Sequence, residues 1–288
     1  MYEYVKKKYE YHKENDVVLR EAQNGVNFFS FPALEKEAGV KHGFSTRIGG
    51  VSGGFYSSLN LSVSTGDDIE KVEENYRRMA EAIGVVPDSL VGSAQTHTVN
   101  IRKVTGEDKG KLCKEKPDYN DIDGLITNEP GITLVTVSAD CILVLFYDKK
   151  HKAIGNCHSG WRGTVGKICE KTLKAMNAEY GSLPEDMICC ICPGICRDCY
   201  EVSEDVAEKF YEAFDKEEAQ KIVRKRTGDK YDLDLWNACR LTLLKNGVKE
   251  ENIHVSDVCT RCNKDLLYSH RVTGIKRGSL AAFIGLEG

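Results

Sequence analysis

The side chains of His97, Cys141 and His158 form a borderline-soft ligand set, each placed where an apolar run breaks into a turn. Three protein ligands are the number a catalytic zinc site uses while a fourth position stays open to water or substrate. The separations of 44 and 17 residues are too long for a local zinc knuckle. The three side chains must therefore converge through the fold, as active-site ligands do.

Cys141 lies between the apolar runs ITLVTVS and ILVLFYD, with Asp140 directly before it. Aspartate is a poor strand residue in such surroundings, so the dipeptide marks a bend or bulge. A carboxylate beside a buried thiol needs a partner: a ligand imidazole, a backbone turn or a cation. Asp140 is accordingly a candidate for orienting a ligand or moving a proton. Cys141 alone also reads as an inert core thiol, or as the nucleophile of a cysteine hydrolase with His97 or His158 as base.

His158 opens Ser159-Gly160-Trp161-Arg162-Gly163, a glycine-flanked turn into a predicted helix. Backbone N–H groups there can hold an anion, and Arg162 adds a fixed charge suited to phosphate or carboxylate. The polar loop His42–Ser52 offers the hydroxyls of Ser45 and Thr46 and the guanidinium of Arg47 as a second cradle for an anion or ribose. It is not a Walker loop, and no Gly-x-Gly-x-x-Gly follows a strand.

The elements that must position these groups alternate short strands with amphipathic helices. Helices are predicted over about 69–83, with Asp67 or Asp68 as N-cap and Gly84 past the end, and over about 163–178, 203–214 and 235–245, the last capped by Asp234. Strands are predicted at 26–31, 43–45, 100–104, 132–138, 142–148, 152–156, 187–192, 253–258 and 280–284. Several are apolar without alternation, which requires cover on both faces. The fold class is α+β.

The chain has 288 residues, 41% hydrophobic and 29% charged, and a net charge of −4, so a full core is affordable and nothing favours nucleic acid. The basic tract Lys221–Lys230 is read as a solvated loop. No apolar run reaches a membrane span and the N-terminal segment has no apolar signal core, so a cytoplasmic protein is expected. Twelve cysteines are then reduced thiols, some buried and some on metal. Cys196-x-x-Cys199 and Cys259-x-x-Cys262 have the form of a four-cysteine zinc site. Their separation is longer than in compact ribbons, and the reading leaves them as thiols, with Cys189, Cys190 and Cys192.

HGFSTRIGGVSGGFYSSLNLS, QTH, DGLIT, SADCILVLFYD, HSGWRG, PGICRDCYEV and CTRCN, in this order, resemble the YfiH/YlmD laccase-domain family, known under the name polyphenol oxidase. The resemblance covers about 29–284 and implies one domain over 1–288, a CNF/YfiH-like four-layer α/β/β/α sandwich of two sheets. It implies zinc, with copper as the alternative, on His97, Cys141 and His158. The implied activity is phosphorolysis of adenosine, inosine and methylthioadenosine, with adenosine deamination in addition, by a monomer or homodimer with purine nucleosides and phosphate as partners. Ser45, Arg47 and Arg162 are the candidates for substrate, phosphate above all. A copper-dependent phenol oxidase is the competing reading, but seven histidines are few for the trinuclear centre of a true laccase. The chain departs from the family pattern at Cys157, Ser159, His270 and Gly278-Ser279, with Arg277 just before the last pair.

Overall fold

The computed structural model describes residues 3–7, 9, 11, 16–113 and 117–288. Two six-stranded sheets stack face to face. The first runs, in spatial order, Val18–Glu21, Asn27–Ser30, Val40–Ser45, Leu280–Leu286, Thr133–Ser138 and Leu90–Val91. The second runs Ile253–Val255, Met187–Ile191, Ile142–Asp148, Ala153–Ser159, Gly124–Thr127 and Ile101–Lys103.

Three buried clusters separate four layers. Helix Ile69–Ile83 puts Val72, Tyr76, Met79, Ala80 and Ile83 on one face, the spacing of a single helical stripe, against Val135, Ala281 and Phe283 of the first sheet. The Asp68 side chain accepts the N–H of Glu70 and Gly84 closes the helix in the left-handed region. Between the sheets, Phe44, Leu134, Ala282 and Ile284 meet Leu125, Leu143, Leu145 and Ile154. On the far side, Val144, Phe146 and Ile191 pack under Leu173 and Met176 of helix Ile168–Tyr180 and Trp236 and Leu243 of helix Leu235–Lys245. The continuous apolar run of Ile142–Asp148 follows from this: its odd and even residues enter different cores.

Some expectations change. The single helix over 163–178 is two, Trp161–Val165 and Ile168–Tyr180, broken where Lys167 takes φ 61°. A five-residue helix offers no developed N-terminal anion site. The strand placed at 152–156 extends to Ser159, because Cys157 and His158 continue the ladder opposite Val144 and Leu143. The tract 221–230 is not a plain loop. It ends a helix, Lys216–Ile222, and forms the hairpin of Val223–Lys225 with Lys230–Leu233, where Arg224 and Arg226 both pair with the buried Asp232.

Candidate functional site

His97, Cys141 and His158 meet at one end of the second sheet. Their ligand atoms all lie within 4.8 Å of one another. Cys141 leads into strand Ile142–Asp148, and His158 sits in the neighbouring antiparallel strand, so the ladder brings them together. His97 comes from the irregular segment before strand Ile101–Lys103 and takes φ 66°; its ring lies edge-on to that of His158, centroids 4.8 Å apart. His158 is buried, Cys141 half-buried and His97 exposed, so the group opens to solvent on the His97 side.

Asp123 organises this group, and sequence reasoning gave it no role although DGLIT was one of the quoted motifs. Its carboxylate is fully buried, and Oδ1 lies 2.8 Å from Nδ1 of His158. It also accepts the backbone N–H groups of Thr96, His97 and Thr98 and the Thr98 hydroxyl. One carboxylate thus fixes the loop that carries His97 and assigns the Nδ1 proton of His158, leaving Nε2 as the ligand atom. The signal the sequence carries for it is a carboxylate set immediately before an apolar strand.

Electrostatics agree with this geometry. Burial pushes the Asp123 carboxyl up, but its bonds to His158 and to the Thr98 and Thr96 N–H groups outweigh this and hold it below the ordinary range. Burial likewise pushes the Cys141 thiol up, yet His158 and His97 bring it down to about 6. For His158, burial pulls down while Asp123 and Cys141 raise it to about 9. Without an ion the pair is a thiolate beside an imidazolium, and a bound cation would take the place of the His158 Nε2 proton.

Asp140 takes φ 89°, a left-handed bend between the two apolar strands, as its position in the sequence predicts. Its carboxylate accepts the Thr260 hydroxyl at 2.6 Å and the Arg271 N–H at 2.7 Å, and its carbonyl accepts the Ile195 N–H at 2.8 Å. The partner it needs is a backbone turn and a hydroxyl. Ser138 Oγ donates to the Cys141 carbonyl across the same bend. Gly160 closes the other side: a Cβ there would sit 3.0 Å from His97 Cδ2 and 3.1 Å from Cys141 Sγ. A thiolate and two imidazoles, with a glycine cradle that leaves them room, fit a tetrahedral zinc or copper ion with one position open.

Around the triad lie groups suited to a substrate. A cleft of about 330 Å³ is lined by Trp161, Tyr200, Glu201, Ser203 and Arg271. The exposed Arg162 lies over the Trp161 ring at 4.3 Å, and Arg271 over the Tyr200 ring at 5.2 Å. Arg277 is half-buried; burial pulls its guanidinium below the ordinary value, and Asp140 and Cys141 are the charged groups that face it. Its Nε is buried with no hydrogen-bond partner among the described residues.

Of the phosphate cradle read in His42–Ser52, little faces solvent. The Ser45 hydroxyl is fully buried and accepts the Ala281 N–H, and the Thr46 hydroxyl donates to the Asn27 carbonyl. Ser45 ends the central strand Val40–Ser45 and Thr46 directly follows it, so both hydroxyls serve internal packing, a correction to the cradle reading. Arg47 donates to the Ser57 and Lys264 carbonyls and stacks over Tyr268 at 4.7 Å. Cys157 turns to the opposite face from His158, into the helix-side core, and stands apart from the candidate ligand group.

Known proteins resemble this chain over nearly its whole length. The model of the family described as multi-copper polyphenol oxidoreductase laccase matches residues 41–287. The purine nucleoside phosphorylase of Bacteroides thetaiotaomicron is 37% identical over 256 residues, 88% of this chain and 94% of that one. The crystal structure of YlmD from Geobacillus stearothermophilus superposes with a TM-score of 0.87 at 32% identity, covering 94% of this chain and all of that one. YfiH of Bacillus licheniformis follows at 0.86 and 30%, covering 93% and 99%. By this likeness over nearly the whole length, the chain belongs to the multi-copper polyphenol oxidoreductase laccase family.

Proposed function

We propose that this protein is a zinc-dependent purine nucleoside phosphorylase acting on adenosine, inosine and methylthioadenosine, with adenosine deamination as a second activity. The observation that carries the reading is the open His97–Cys141–His158 group beside an aromatic and cationic cleft; the names of the relatives YlmD and purine nucleoside phosphorylase support it. An ion held by the triad supplies positive charge and Lewis acidity to an atom of the substrate.

The chain's own residues do the rest. Trp161 and Tyr200 offer flat faces for a purine, and the cleft they line is of nucleoside size. Phosphorolysis needs an anion held beneath the ribose C1′ while the base departs with negative charge. Arg277 is the best-placed cation for that anion, because its buried N–H is unpaired and it faces the triad; Arg162 and Arg271 border the approach. This moves the phosphate role from Ser45 to Arg277, with Arg47 anchoring the neighbouring loop. Asp140 acts as a positioning residue: with both carboxylate oxygens engaged, it holds the bend that aims Cys141 rather than carrying a proton.

The test is a product assay by mass spectrometry on adenosine, with and without phosphate, beside Cys141→Ala. Adenine and ribose 1-phosphate formed only with phosphate and lost in the variant is the expected result; inosine in both conditions adds deamination. No product from zinc-loaded protein overturns the reading.

A further inference from the structure

The two Cys-x-x-Cys pairs lie 63 residues apart, yet the fold sets them side by side. Cys196 and Cys199 follow strand Met187–Ile191, and Cys259 and Cys262 follow strand Ile253–Val255. These strands pair in parallel, Cys189 opposite Ile253 and Ile191 opposite Val255. Beyond the strands the pairing resumes: Gly194 bridges Cys259, donating to the Val258 carbonyl and accepting the Thr260 N–H. The register carries each Cys-x-x-Cys turn to the same height.

All four Sγ atoms fall within 4.8 Å of one another, with Cys199 and Cys262 at 3.5 Å. Tetrahedral Zn–S bonds of about 2.3 Å place ligand sulfurs about 3.8 Å apart, and a disulfide needs about 2.05 Å. The four are free thiols at the spacing of a single ion, too tight to surround a multi-iron core. The N–H groups of Cys196 and Cys262 both point at Cys259 Sγ, at 3.3 and 3.5 Å, the arrangement that supports a thiolate once an ion holds it. Lys7 and Arg261 are the cations that face the cluster, and two positive charges balance a tetrathiolate around a divalent ion.

We propose that Cys196, Cys199, Cys259 and Cys262 bind a second zinc ion, structural and closed, in addition to the ion of the His97–Cys141–His158 group. Its place in the fold gives it a job. Thr260, inside the second turn, donates to the Asp140 carboxylate, and Ile195, next to Cys196, donates to the Asp140 carbonyl. The clasp therefore fastens two loops that both grip the bend before Cys141. The N-terminal arm is tied to the same turn, through Lys6 pairing with Val258 and Val5 exchanging hydrogen bonds with the Asn263 side chain.

The experiment separates the two sites. In His97→Ala/Cys141→Ala, which dismantles the triad, about one zinc per chain is expected by elemental analysis and native mass spectrometry after desalting. Adding Cys199→Ser and Cys262→Ser, the half-buried pair, is expected to remove it. Should that four-fold variant fail to fold, cobalt loading of the double variant gives an independent readout, the intense thiolate-to-cobalt absorption of a tetrathiolate site. A metal-free double variant, iron in place of zinc, or a denatured mass lighter by the hydrogens of two disulfides each overturns the proposal. None of these outcomes depends on nucleoside turnover, so the proposal stands or falls apart from the activity.

Discussion

Asp123 Oδ1 lies 2.8 Å from His158 Nδ1, and the same carboxylate holds the N–H groups on both sides of His97 and that of His97 itself. Two of the three ligands in the triad thus answer to one buried side chain. Asp123→Asn keeps the shape but removes the charge and puts an amide donor among N–H groups. Metal affinity is expected to fall about 10–100-fold, measured by chelator competition, while far-ultraviolet circular dichroism stays unchanged. Unchanged affinity would show that the imidazole is positioned by packing alone.

Gly160 makes a steric prediction. Its φ of −69° suits alanine, so Gly160→Ala costs no backbone strain. The new methyl group would press on His97 and Cys141, 3.0 and 3.1 Å away. Turnover and triad metal content are expected to drop together, with the thermal midpoint within a few degrees of the parent. A variant with full metal content would mean that His97, on its exposed loop, simply swings aside.

Arg277 is expected to act on phosphate selectively. Losing a charge-assisted hydrogen bond costs about 1.5–3 kcal/mol, so Arg277→Gln is expected to raise the KM for phosphate about 10–100-fold. The KM for the nucleoside stays near its parent value. Equal rises in both would assign Arg277 to the fold of the cleft instead.

His42 gives a pH prediction. Burial pulls the imidazole from its ordinary 6.5 to about 4 despite the nearby Glu35 carboxylate, and Nε2 accepts the Phe31 N–H at 2.8 Å. The folded state then binds fewer protons than the unfolded state between those values. Stability from this group is present above about 6.5 and is lost as the pH falls towards 4. From pH 7 to pH 5 the loss is about 2 kcal/mol. His42→Gln, whose oxygen can accept the same N–H, is expected to lose that much less over the same range in urea titrations; equal slopes would sink the assignment.

Where the sequence was legible, a local conflict made it so. Asp140 between two apolar runs announces a bend, and the backbone takes φ 89° there. His97 and His158 were legible as ligand types, although only the antiparallel ladder sets His158 against Cys141. Ser45 and Thr46 misled because a glycine-rich polar stretch reads as a loop. It opens with the end of a strand, and the Ser45 and Thr46 hydroxyls satisfy neighbouring backbone groups, a use that composition does not distinguish from anion binding. The basic tract misled for a related reason: a run of basic residues hides a hairpin when its partner, Asp232, lies beyond the run. The cysteine pairs were visible as motifs, but their union depends on a parallel pairing of strands 62 residues or more apart in the chain, which spacing does not reveal.

The hydrogen bonds of Asp123 carry one last consequence. Because protein groups set the geometry of His158 and the His97 loop, the triad is a ready-made socket, and an ion enters it without having to organise the chain around itself. A socket of one thiolate and two imidazoles discriminates weakly between zinc and copper, and copper binds such donors more tightly. An ion taken up by such a socket would then be set by supply as much as by the protein. A blue or colourless preparation, by itself, says little about which chemistry belongs to the living cell.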